Sequence, residues 1–128
     1  MSTSQVTQGW RVLGFGKHPK IAAAVKERFR EAGLAGTSVV VTDDAAGDAR
    51  LIQELNTADY DGVAIGSFIS GQNPQDPPTE QTTDWFNRVL NIIHAEAPTA
   101  KIILVRSPAD VLPAISRVLG DHAPARQS

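Results

Sequence analysis

Hydrophobic residues in this chain form short runs that alternate with segments of helical periodicity. Four runs, at residues 12–15, 39–42, 62–66 and 102–105, are apolar or nearly so, which is typical of strands covered on both faces. Between and after them, apolar residues recur every three or four positions, as the buried face of a helix requires. The pattern predicts four strand–helix units, and the longest helix, the third, is expected over residues 79–97.

Residues with distinct backbone preferences mark the ends of these helices. Pro19 suits the first position of the first helix because its missing N–H would have no partner there. Gly33 and Gly36 are expected to end that helix. Asp48 is expected to cap the second helix, and Asp110 the last one.

Strands buried on both faces and joined by helices predict an α/β fold. Right-handed crossovers would give a three-layer, doubly wound parallel sheet with helices on both faces. We expect the strand order 2-1-3-4, which is the flavodoxin-like order shortened by one unit. A single domain is predicted over residues 11–120, between polar, disordered tails at 1–10 and 121–128.

Composition narrows the range of functions. The 128 residues include no cysteine, which excludes disulfides and thiolate chemistry. A net charge of −2 provides no basic surface for nucleic acid, and no apolar run has the length of a membrane span. The first residues lack the pattern of a secretory signal. A soluble, cytoplasmic protein is therefore expected.

A ligand site is expected where the winding of the sheet reverses, between the carboxyl ends of the first and third strands. The turn at 14–18 leads from a strand into a helix N-terminus, which favours an anion. The alternative is that its two glycines serve only a tight turn. The residues expected to bind a ligand are Gly14, Phe15, Gly16, Lys17, Phe68, Gln72, Asn73, Arg106 and Ser107.

The connection at 67–78 is about twice the usual length in an α/β unit. It is polar, and three prolines stiffen it. A long loop at the ligand end of a sheet often forms a lid or a binding wall. A surface insertion without a function is the alternative, since long loops cost little entropy.

His18 is the best candidate for acid–base catalysis, because imidazole exchanges protons near neutral pH. Asp43 is expected to orient it, and Ser67 or Ser70 to supply a hydroxyl. The G-x-S-x-G motif of serine hydrolases is absent. No metal is predicted, because His18 and the other two histidines have no partners at ligand spacing.

The familiar nucleotide motifs are incomplete or missing. Gly14-x-Gly16 matches the first half of a dinucleotide fingerprint, but Pro19 takes the place of the third glycine. No P-loop motif occurs. Receiver domains of bacterial signalling share this sheet, but the acidic pair after the first strand is absent. No cofactor is therefore predicted.

Residues 60–71 read Tyr-Asp-Gly-Val-Ala-Ile-Gly-Ser-Phe-Ile-Ser-Gly and resemble a strand-and-loop segment of the lumazine synthases. In that family, the loop binds phosphate. Ser70 stands where the family has an arginine, and the family's other motifs are absent. The resemblance implies a shared strand–loop arrangement at the level of the fold.

The third predicted helix has a wide apolar face, with Trp85 and Ile92 at its margins. The strand at 102–105 is apolar on both faces, although it would lie at the edge of the sheet. Both features predict a homodimer through Trp85, Ile92 and this strand. The alternative is that Trp85 packs beneath the 67–78 connection within one chain.

Two functions follow as expectations. The first is a cofactor-independent enzyme or binding protein that acts on a small organic anion at the carboxyl rim of the sheet. Acid–base chemistry of the isomerase, lyase or hydrolase type would suit its residues. The alternative is a non-catalytic regulatory or assembly module that binds a protein partner through the third helix and the fourth strand.

Overall fold

Four parallel strands form the centre of the molecule, in the order β2-β1-β3-β4. The computed structural model describes residues 9–121 and residue 123. The strands are β1 (Arg11–Gly16), β2 (Ala35–Val40), β3 (Gly62–Ile65) and β4 (Lys101–Leu104). The helices are α1 (Pro19–Glu31), α2 (Ala45–Leu55), α3 (Ser67–Ser70), α4 (Glu80–Glu96) and α5 (Val111–Leu119). The predicted α/β fold and its strand order are confirmed.

Each face of the sheet has its own apolar layer, because successive side chains of a strand point to opposite faces. Beneath α2 and α4, the strands contribute Leu13, Phe15, Val39, Val63 and Ile65. Beneath α1 and α5, they contribute Val12, Ala64 and Ile103. Helices therefore cover both faces, as the continuous apolar runs predicted.

The second strand begins earlier than predicted. Helix α1 ends at Glu31, and Gly33 follows with a φ of 74°, as a glycine that terminates a helix often has. Gly36 does not end the helix; it lies inside β2, opposite Val12. The residues 39–42 contain only the last two residues of β2.

Two helix starts also differ from the prediction. Asp44, not Asp48, caps α2, and its carboxylate accepts a hydrogen bond from the Gly47 N–H at 2.8 Å. Before α5, a 3₁₀ turn extends over Pro108–Asp110. Asp110 does occupy the N-cap position of α5, but its side chain makes no capping hydrogen bond there.

The connection between β3 and α4 is not a simple loop, because it opens with the helical turn α3. Residues 60–71 therefore place a helical turn, rather than an open loop, after the strand. Helix α4 extends over Glu80–Glu96, with Thr79 as its cap, close to the predicted 79–97.

Trp85 is only 3% exposed and belongs to the same apolar cluster as Ile69 of α3. The prediction that Trp85 contacts a second subunit is therefore wrong. The alternative, that it packs beneath the connection within one chain, agrees with the structure. Ile92 is half-buried against the same cluster.

Gly9 and Trp10, assigned to the tail from the sequence, pack on the fold. The Gly9 N–H donates to the Gly33 carbonyl, and the Trp10 indole N–H donates to the Gly120 carbonyl at 2.8 Å. The rest of the predicted tails, apart from Asp121 and Ala123, lies outside the described residues. None of the helices in the described part of the chain is both long and apolar enough to cross a bilayer.

Candidate functional site

A cavity of about 40 Å³ lies at the carboxyl ends of β1 and β3, between the sheet and the start of α1. This is the crevice where the winding of the sheet reverses, because β2 and β3 flank β1 on opposite sides. Its lining residues are Gly14, Phe15, Gly16, Lys17, His18, Ile21, Ala22, Val25, Ser38, Ala64, Ile65, Gly66, Ser67, Phe68, Val105, Pro108 and Val111. We call this space the crevice cavity.

The crevice cavity exists because small residues on three adjacent strands lie side by side. Gly14 of β1 pairs with Ser38 of β2 on one side and with Ala64 of β3 on the other. All three side chains are short, and a Cβ added to Gly14 would lie 3.4 Å from the Phe29 ring of α1. Ala22 and Val25 of α1 close the space from above.

The mouth of the crevice cavity is formed by Lys17, His18 and Phe68. The rings of His18 and Phe68 meet edge to face, with their centroids 4.7 Å apart. His18 is exposed and Phe68 is half-buried. This contact joins the turn after β1 to α3.

Helix α1 begins at this mouth without a side-chain cap. His18 occupies the N-cap position but makes no capping hydrogen bond, and Pro19 follows it. No acidic residue lies in the first turn. The first N–H groups of a helix carry a partial positive charge, and here no carboxylate of the first turn offsets it.

Lys17 forms a long ion pair with Asp76 of the connection before α4, with 3.8 Å between ammonium nitrogen and carboxylate oxygen. Gly71, at the start of this segment, has a φ of 79°. Its Cα faces Pro78 so closely that an added Cβ would lie 2.9 Å from the proline ring. Residues 71–79 thus fold back on themselves beside the mouth.

The structure brings together seven of the residues predicted to form a site. They are Gly14, Phe15, Gly16, Lys17, His18, Ser67 and Phe68. The remaining predicted residues, Asp43, Ser70, Gln72, Asn73, Arg106 and Ser107, do not line the cavity.

Asp43 has other partners than His18. Its carboxylate accepts hydrogen bonds from Arg88 at 2.7 Å and from Gln81 at 3.3 Å. Arg88 also donates to Asp48 at 2.7 Å. These two carboxylates raise the pKa of the Arg88 guanidinium above its ordinary value. Asp43 therefore belongs to a polar cluster between α2 and α4, and it does not orient His18.

Arg106 also lies apart from the crevice cavity. Its side chain is 73% exposed, and its guanidinium lies 3.6 Å from the carboxylate of Asp110. Arg106 was expected to bind a ligand, and the structure instead places its side chain in a surface ion pair outside the cavity lining. Asn73, for its part, accepts a hydrogen bond from the Gln75 N–H within its own loop.

The floor of the cavity was not predicted from the sequence. Ala64 lies in a strand that was expected to serve only the core, and Ser38 precedes the strand that was predicted at 39–42. A short side chain in each of three adjacent strands is a signal present in the sequence. It becomes visible only when the pairing register places Ser38, Gly14 and Ala64 in one row.

Neither a protein-family model nor a curated protein matches this chain. Within the described residues, no three histidine, aspartate or glutamate side chains come together as a metal centre would require. The structure defines a class: an α/β protein with a parallel four-stranded sheet and a small, mainly apolar cavity beside an uncapped helix N-terminus.

Proposed function

We propose that this protein binds a small organic anion at the crevice cavity. A short apolar part of the ligand would enter the cavity, and its negative group would stay at the mouth. The observation that carries the proposal is the position of one cavity at the crevice of the sheet, apolar inside and next to Lys17 and the start of α1. Ligands of doubly wound sheets bind at this place.

The size of the cavity limits the ligand. A volume of about 40 Å³ accommodates about three water molecules, far less than a cavity that encloses a drug-sized molecule. Only a tip of a few non-hydrogen atoms fits inside without movement of the walls. A short-chain carboxylate, or a small phosphate ester with one alkyl group, meets this limit.

The charged groups at the mouth favour an anion. Lys17 contributes a positive charge there, and its side chain is about one-third exposed. The free N–H groups in the first turn of α1 add donors whose geometry suits a carboxylate or phosphate oxygen. If the bound molecule reacts, His18 is the group placed to move a proton at the mouth.

A ligand panel tests this proposal. Formate, acetate, butyrate, inorganic phosphate and methyl phosphate are titrated against the protein by calorimetry and thermal unfolding. We expect butyrate or methyl phosphate to stabilise the wild type, and Lys17→Ala to weaken binding at least tenfold. Lys26→Ala is the matched control, since Lys26 is exposed on α1 beyond its first turn and outside the cavity. If no compound binds, or if the two variants weaken binding equally, the proposal fails.

Asp76 provides a second test because it competes with a ligand for Lys17. Asp76→Asn removes that competitor, so we expect tighter binding of the same anion by a few-fold. The variant should unfold like the wild type, because a pair this exposed stabilises a protein by less than about 1 kcal/mol. Weaker binding in Asp76→Asn would show that the anion does not use Lys17.

A further inference from the structure

The edge of the sheet at β4 presents apolar side chains and backbone groups to the outside. Ile102 and Leu104 are each 38% exposed, and they are two of the three large hydrophobic residues that are exposed in the described chain. They pair with Val63 and Ile65 of β3, so they lie on the α4 face of the sheet. Helix α4 does not extend far enough to cover them.

The backbone of β4 has an outer side that can accept another strand. The Lys101 N–H donates to the Asp61 carbonyl at 3.0 Å, toward β3. Backbone groups alternate in direction along a strand, so those of Ile102 and Leu104 point away from β3. An edge of this kind is a template for pairing with a further strand.

The charged side chains of α4 lie on the side of the helix away from this edge. Glu80, Asp84 and Arg88 lie around one polar depression together with Asp43, on the side of α2. Glu96 also faces that side, because its carboxylate accepts a hydrogen bond from Asn56 at the end of α2.

The opposite flank of α4, toward β4, carries no fixed charge. At about 100° per residue, Thr83, Phe86, Asn87 and Leu90 fall on this flank, with His94 at its far end. Phe86 and Leu90 are half-buried against the core. Depletion of charge around exposed apolar residues is typical of the centre of an interface.

We propose that β4 pairs in antiparallel orientation with β4 of a second copy, about a two-fold axis at Ile103. In this register, Ile102 exchanges both backbone hydrogen bonds with Leu104 of the second copy. This register lets the outward-facing backbone groups of both Ile102 and Leu104 form hydrogen bonds in each copy. It also separates the two Lys101 side chains, because each lies opposite Val105 of the other copy.

The paired strands would form one continuous sheet across the two copies. Ile102 and Leu104 of both copies would be the floor of a shared apolar groove, and Phe86 and Leu90 would be its walls. A second copy suits this groove because each flank supplies the uncharged surface that the other meets, and because the register keeps the two Lys101 side chains apart. Of the residues in this interface, only Val105 also lines the crevice cavity, and Phe86 and Leu90 take the place of Trp85.

The area available predicts a weak dimer. Helix α4 has 17 residues and is therefore about 25 Å long. The strip that could be buried is about 15 Å wide, which is a helix radius plus two strand spacings. Multiplied by the helix length, this width gives a buried area of roughly 400 Å² on each copy. Stable complexes bury about twice this area, so we expect dissociation in the micromolar range.

Sedimentation equilibrium from about 1 μM to about 500 μM tests the dimer. We expect the wild type to change from monomer to dimer over this range, and Ile102→Lys to weaken the dimer at least tenfold. Ile52→Lys is the matched control, because Ile52 is 37% exposed on α2. A wild type that stays monomeric throughout, or a control that dissociates as readily as Ile102→Lys, would overturn the proposal.

A cross-linking experiment tests the register, and the chain has no cysteine of its own. We expect a mixture of Ile102→Cys and Leu104→Cys variants to form a disulfide-linked heterodimer when oxidised with diamide, because these positions face each other. Each variant alone should remain largely unlinked. Efficient linkage of Ile102→Cys to itself would contradict the axis at Ile103.

Discussion

Asp110 links the loop after β4 to the body of α5. Its side chain is only 9% exposed, and its carboxylate accepts hydrogen bonds from the Arg106 N–H and from both terminal nitrogens of Arg117. The hydrogen bonds from Arg117 hold the pKa of Asp110 below its ordinary value, and that from the Arg106 N–H adds to this effect, while burial opposes it. This carboxylate is thus a structural anchor close to the crevice.

We expect Asp110→Asn to lower the free energy of unfolding by about 2 kcal/mol at pH 7, because hydrogen bonds to a buried charge are lost. The pKa of Asp110 is lower in the folded state, so this stabilisation is complete above the unfolded pKa of about 3.9. It is lost as the pH falls through the folded value. Urea unfolding at pH 7, 5 and 3 should show a gap between variant and wild type that narrows at pH 3. A constant gap would mean that the charge is not its source.

The position of Asp110 could be predicted from the sequence, but its partners could not. An aspartate three residues before a proline indicates a helix start. Its interaction with Arg117, seven residues on, depends on the 3₁₀ turn at Pro108–Asp110. The residue type marks the helix boundary, and only the folded backbone reveals the ion pair.

Strand β2 is built around the close approach of Gly36 to β1. A Cβ added to Gly36 would lie 1.9 Å from the Val12 carbonyl oxygen, which is far inside contact distance. Only glycine leaves room for the main chain of β1 at this point. Strand β2 therefore depends on Gly36, a residue that was expected from the sequence to end helix α1.

We expect Gly36→Ala to destabilise the protein by about 3 kcal/mol, because the main chains of β1 and β2 must separate to admit a methyl group. Gly16→Ala is the matched control, since the nearest heavy atom to its added Cβ is 4.0 Å away. Thermal and urea unfolding of both variants measure the difference. Equal stability of the two variants would show that β2 adjusts without strain.

The error in β2 has a physical cause. Its first four residues, Ala35 to Ser38, include no large apolar side chain and are partly exposed, so hydrophobic periodicity does not mark them as a strand. The buried strands β1 and β3 were found nearly in full, because every residue of β3 is buried. Apolar runs locate strands that contain large apolar residues, such as β3 and the edge strand β4, and miss a stretch of small residues such as the start of β2.

Two separate apolar layers flank the sheet, and each contains or contacts one tryptophan. Trp85 of α4 is buried in the layer beneath α2 and α4, and Trp10 packs against the layer beneath α1 and α5. Both layers share the strands of one sheet, so neither can lose its packing alone. The molecule should therefore unfold as a single cooperative unit.

Single-tryptophan variants test this cooperativity. We expect Trp10→Phe, which leaves the fluorescence of Trp85, and Trp85→Phe, which leaves that of Trp10, each to give a urea transition coincident with circular dichroism. Trp85→Phe should cost less than about 2 kcal/mol, because the buried indole N–H has no hydrogen-bond partner among the described residues. Two separate transitions in either variant would show that the layers unfold independently.

At the scale of the whole molecule, the strand order and the place of the crevice could be predicted from the alternation of strands and helices. The loops that meet at the crevice followed from that order, and so did Lys17, His18, Ser67 and Phe68. The cavity itself could not be predicted, because its floor depends on the register of three strands. Asp43 was misplaced because its ion pair with Arg88 depends on how α2 and α4 pack, which the sequence pattern does not show.

The row formed by Ser38, Gly14 and Ala64 lines the inner part of the crevice cavity, whereas Lys17 and His18 lie at its mouth. A substitution in this row would change how far the proposed ligand enters the cavity and would leave Lys17 and His18 at the mouth unchanged. If the crevice cavity binds the proposed anion, Ala64→Gly should admit a longer apolar chain and Gly14→Ala should require a shorter one. Under the proposed function, these three strand residues would set the length of the ligand that binds.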